Sequence, residues 1–123
     1  YMARGDIVTG FLSGQTNGKN ILITATTSGG AQTIHTVASG TATVEFLTIE
    51  ACHVDSANAT THLYLLMGGT SVPGDVITLD LDHGAGPYIV QDKRLMQNGT
   101  VIRAYAQHAS HIVVYGYFQR YTV

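Results

Sequence analysis

Apolar and polar residues alternate along much of this 123-residue chain, in runs of strand length broken by Gly, Asn, Asp and Pro. A period of two puts successive side chains on opposite faces of a sheet. Ile77, Leu79 and Leu81 share one face against Thr78, Asp80 and Asp82. In Thr61 to Met67 the shared face is Leu63, Leu65 and Met67. Thr100 to Gln107 turns Ile102, Ala104 and Ala106 one way, and Arg103 and Tyr105 the other. In His111 to Tyr121, Ile112, Val114, Gly116 and Phe118 oppose Val113, Tyr115, Tyr117 and Tyr121. Thr43 to Val54 is apolar on both faces, which marks a central strand or one covered by a neighbouring subunit.

Shorter strands are expected at Ile7 to Leu12, Ile21 to Ala25, Gln32 to Val37 and Tyr88 to Val90. Asp92 to Met96 reads as one helical turn or a loop. Asn17-Gly18, Gly68-Gly69-Thr70 and Asn98-Gly99 are turn signals. Short strands at this spacing predict an all-β fold: an antiparallel β-sandwich, jelly-roll-like, of about eight strands. Thr26 to Gly30 has the composition of a flexible linker. Residues 1–30 are therefore expected as an N-terminal arm, and residues 31–123 as the sandwich domain.

Composition supports the β reading. Thr (16), Val (11) and Ile (9) are abundant, and β-branched side chains suit a pleated surface better than a helix. Six basic and eight acidic residues give a net charge of −2. The scattered bases exclude a nucleic-acid footprint, and no apolar run is long enough to span a membrane as a helix. So little charge is consistent with a surface covered by other chains, or with a neutral Thr- and Ser-rich one. Asn58-Ala59-Thr60 and Asn98-Gly99-Thr100 match the glycosylation triplet but read as turn asparagines.

Candidate chemistry is sparse. His35, His53, His62, His83, His108 and His111 have no HExxH spacing, so no metal site is assigned. His108 and His111 flank a turn and can converge. Imidazoles titrate near neutrality, so this set can confer pH sensitivity. Asp80, Asp82 and His83 at a strand end lack a calcium-loop pattern. Cys52 lies among apolar residues, where a thiol behaves as a small hydrophobe. Arg4-Gly5-Asp6 is read as a chance tripeptide. No catalytic residue, metal ligand or cofactor is assigned, and no enzyme activity is expected. Aromatic side chains suit interfaces, which makes Tyr105, Tyr115, Tyr117 and Tyr121 the candidate interface residues, together with Ile7 and Phe11 of the arm.

Four segments carry a resemblance. They are Thr33-Ile34-His35-Thr36-Val37, Thr61 to Met67 with Gly68-Gly69-Thr70, Asn98 to Ala106, and Val114-Tyr115-Gly116-Tyr117. From Thr33 to Tyr121 the chain resembles small β-sandwich virion proteins of tailed bacteriophages, the capsid decoration or cement proteins. That resemblance implies a jelly-roll-like fold and a homotrimer bound to the major capsid protein on the outer surface of the capsid, stabilising the shell. The alternative is a tail- or fibre-associated module that binds carbohydrate or other virion proteins. Under the first reading the arm lies along the capsid.

Overall fold

The computed structural model describes residues 7–122 and contains nine β-strands in two antiparallel sheets packed as a sandwich. They are β1 (Ile7–Phe11), β2 (Ile21–Ile23), β3 (Gln32–Thr36), β4 (Thr43–His53), β5 (Thr60–Met67), β6 (Val76–Asp82), β7 (Tyr88–Gln97), β8 (Val101–Ala106) and β9 (Ile112–Thr122). Sheet A has the order β1-β9-β4-β7, with β2 also pairing with β9; sheet B has the order β3-β8-β5-β6. From β2 onward the chain changes sheet at every step except between β5 and β6, which pair with each other, and this produces the jelly-roll order. The expected all-β sandwich is therefore the observed one.

The core is the inward set of each strand. Leu47, Ile49 and Ala51 of β4 meet Leu63 and Leu65 of β5 and Ile102, Ala104 and Ala106 of β8, all fully buried. β4 is central, paired along its length with β9 and β7. Its inner residues Leu47, Ile49 and Ala51 fill the core, while Val44 and Phe46 on its other face lie on the outer surface of sheet A. β9 crosses β4 closely at Gly116, where an added Cβ would lie 2.0 Å from the Thr48 carbonyl oxygen. Only a residue without a side chain fits there.

Two segments differ from their expected form. Asp92 to Met96 is neither helix nor loop but part of β7, paired with β4. A break in register next to Lys93, which has φ +55°, disguises the strand by interrupting its alternation. The described part of the expected arm is woven into sheet A. β1 and β2 lie end to end along one side of β9, and Leu12 and Ile23 are buried in the core. Between them the chain leaves β9 without a strand partner on that side, and Gln15 fills the gap. Its Oε1 accepts the Gly116 and Leu12 N–H groups at 3.3 and 3.1 Å, while its amide donates to the Lys19 carbonyl. Unpaired buried backbone groups are costly, so one side chain here substitutes for a missing strand segment. The same connection reaches sheet B, where Gly14 N–H donates to Ile34 and Thr36 N–H donates to the Ser13 hydroxyl. Arg4-Gly5-Asp6 lies outside the described residues.

Candidate interaction surface

Residues directly opposite in a ladder share a face, so the register defines the outer surface of sheet A. Ile7, Tyr121 and Val44 form one row with Gln97. Thr9, Gln119, Phe46 and Leu95 form the next. Phe11, Tyr117 and Thr48 follow, then Tyr115, Glu50 and Ile89, then Leu22, Val113 and Cys52. Six of the large hydrophobic residues exposed among the described residues fall in these rows: Ile7, Phe11, Leu22, Ile89, Leu95 and Tyr117. Phe11, Ile89 and Leu95 are 59%, 64% and 56% exposed. These side chains leave apolar area open along the outer face of sheet A.

Five of the six residues singled out by sequence meet on this face: Ile7, Phe11, Tyr115, Tyr117 and Tyr121. Burial raises the pKa of Tyr115, and the neighbouring Glu50 and Cys52 add to the rise. Tyr105 is elsewhere. It lies in sheet B, is 8% exposed, and stacks on Tyr64 with ring centroids 4.6 Å apart. Burial, then the Tyr64 neighbour, pushes its pKa up as well. Sequence reasoning missed Leu22, Ile89 and Leu95. Leu22 was legible, since it alternates with the buried Ile23. Leu95 was hidden because its strand did not read as a strand.

Two polar clusters lie on the inner side. Glu45 of β4 is fully buried between the sheets. Its Oε1 is 2.6 Å from His35 Nε2, while Oε2 accepts from Arg120 Nε at 2.8 Å and from the Ala38 N–H at 3.0 Å. His35 Nδ1 accepts the Ser13 N–H at 2.9 Å, so the ring proton sits on Nε2 and is donated to Glu45. Burial opposes ionisation of Glu45, but the His35, Ala38 and Arg120 hydrogen bonds outweigh it and hold the carboxyl below its ordinary range. Arg120 also lies over the Phe118 ring, 4.7 Å from its centroid. This network clips β3 of sheet B to β4 and β9 of sheet A.

At the opposite end of β4, His53 is buried and its Nδ1 has no partner. His83 and His111 lie 5.6 and 5.8 Å away by ring centroids, and His108 lies 5.2 Å from His111. The expected convergence of His108 and His111 is thus present. Even so, no group of three or more ligating residues among the described ones is arranged to hold a metal ion. Asp80 pairs with His62, and Asp82 accepts a hydrogen bond from Thr60 at 2.7 Å. No pocket is present among the described residues.

No protein-family model matches the chain, and no curated protein matches it in sequence. Among solved structures, the chain is similar to one from work showing that Bacillus endospore appendages form a novel family of disulfide-linked pili. The TM-score is 0.53 and the sequence identity 15%; the match covers 100% of this chain and 96% of the other. At that identity the likeness establishes the fold. It also corrects the phage reading. The whole sandwich, including the stretch before Thr33 that the virion resemblance left out, aligns with a pilus structure and not with a capsid protein. The turn and packing motifs behind that resemblance are common to jelly rolls and do not discriminate between families. The capsid decoration role, the tail or fibre alternative, the major capsid protein as partner and the capsid-surface location are withdrawn with it. The protein of similar fold is a structural one.

Proposed function

We propose that this chain is a non-enzymatic structural subunit of a pilus-like surface appendage, assembled from copies of itself outside the cell. The end-to-end likeness to a pilus structure carries the reading. The open apolar face of sheet A supports it, because a subunit of an assembly keeps such a face for a neighbour.

The chain departs from that relative in one respect. A linear disulfide-linked polymer needs at least two thiols per subunit, one toward each neighbour. These 123 residues contain one, Cys52, partly buried on β4. A single thiol joins two copies at most, so Cys52 alone cannot propagate a disulfide-linked polymer, and the open apolar face of sheet A is a non-covalent contact that these residues offer. The test is negative-stain microscopy of the purified chain with and without reductant. Filaments that survive reduction are expected. A protein that stays monomeric at every concentration and salt condition overturns the reading.

A further inference from the structure

We propose that the outer face of sheet A packs against the same face of a second copy, so that the assembly unit is a two-fold pair. This rests on the proposed self-assembly and names the surface and partner involved.

Area and composition favour this occupant. The face spans four strand positions, about 4.8 Å apart, and five rows of outward side chains, about 6.8 Å apart; that is roughly 650 Å². Two such faces bury about 1,300 Å², inside the range of about 1,200–2,000 Å² for a stable interface. Twisted sheets of the same hand pack face to face in an aligned manner. Of the outward positions on β1, β2, β9 and β4, only Glu50 is charged. Charge reappears at the β7 rim, with exposed Asp92 and Lys93. An apolar centre with a polar edge is the composition of an interface.

The other outer face rules itself out as the partner. Sheet B presents His62, Asp80, Asp82 and Arg103 outward, and packing sheet A against them would bury charge on apolar surface. Of the two outer faces, only like on like buries apolar against apolar. A surface that is its own partner generates a closed pair. Glu50 is then an uncompensated carboxylate inside the contact, limiting its strength.

The experiment measures the mass of the full chain by light scattering and ultracentrifugation across a concentration series, beside microscopy for filaments. Phe11→Glu should weaken pairing about thirtyfold or more, Glu50→Gln should tighten it, and Thr78→Lys on sheet B should leave it unchanged. Leu95→Glu, on the far side of the face, repeats the test should Phe11→Glu fail to fold. Assembly that persists undiminished in both charged variants overturns the pairing while leaving the pilus-like reading intact. Pairs that never extend to filaments uphold the pairing and remove that reading. A monomeric wild type removes both.

Discussion

The outward positions on β5 and β6 include His62, Tyr64, Asp80 and Asp82; those on β9 and β4 include Tyr115, Tyr117, Phe46 and Val44, with Glu50 the one charge. Both sets stand on antiparallel ladders of similar geometry. The inner faces do not differ in this way. Each is an apolar core with two buried polar groups, Glu45 and His53 from sheet A and His35 and Thr61 from sheet B. The contrast is confined to the outer faces, charged on sheet B and apolar on sheet A. Under the proposed assembly the outside of sheet A becomes an inside, which accounts for its composition. The buried polar groups between the sheets fix how the two register, a role in specificity more than in raw stability.

The largest expected effect comes from the polar network that joins the two inner faces beneath that contrast. Glu45→Ala leaves His35 Nε2, the Ala38 N–H and part of the Arg120 guanidinium without their acceptor. Removing one member of a buried charged network costs about 4 kcal/mol. Chemical denaturation should show a loss of that size. A loss below about 1 kcal/mol would mean that solvent replaces the carboxylate and the network is not a clip between the sheets.

Next in size is a pair of tyrosines that read identically in sequence. Tyr105 is packed against Tyr64, so Tyr105→Ala should destabilise the isolated subunit by about 3 kcal/mol. Tyr117 stands open on sheet A, so Tyr117→Ala should change monomer stability by no more than about 0.5 kcal/mol while weakening association. Unfolding curves at low concentration and sedimentation at high concentration separate these two roles. Equal monomer losses would erase the distinction between the faces.

That pair also shows what the sequence could and could not convey. Alternation was enough to place Tyr105 outward on its strand, because Ile102, Ala104 and Ala106 define the inward side. It could not show that a stacked neighbour from β5 would cover the ring, since that contact joins residues 41 positions apart. The two-layer β fold was legible because strands with an apolar inner face dominate. β7 was half legible: the register break next to Lys93 interrupts its period. The gathering of Ile7, Phe11, Leu22, Leu95 and Tyr117 on one surface depends on strand order, which no local pattern contains. The first strands looked detachable because Thr26 to Gly30 has linker composition. Leu12 and Ile23 nevertheless enter the core, and Gln15 takes the place of a ladder rung.

A third test uses pH to compare the two polar groups inside sheet A. Burial holds the His53 pKa below the ordinary 6.5, with His83 and His111 adding to the fall and Asp55 and Asp82 opposing it. As pH falls below 6.5 the unfolded chain takes up this proton first, so stability declines until the folded-state value is passed. Glu45 is also lowered, from 4.5, so its contribution is full above that value and is lost as pH falls through the lower folded one. The urea midpoint should therefore fall in two windows, one below neutrality and one in acid. His53→Gln should flatten the first and leave the second. An unchanged upper window in that variant would assign it to another group.

The smallest expected effect probes the outer face of sheet B. Asp80 and His62 are hydrogen-bonded across β5 and β6, and Asp80 is 65% exposed. Water and salt screen an exposed pair, and each partner gives up side-chain freedom to hold it. Asp80→Asn should therefore change stability by no more than about 0.5 kcal/mol, and that difference should vanish near 1 M salt, where screening acts over about 3 Å. Assembly should be unaffected, because this face stays in water when sheet A is covered. Asp80→Asn that disrupted assembly as strongly as Phe11→Glu would make both faces contact surfaces. The polarity difference between them would then no longer predict which one a second copy covers.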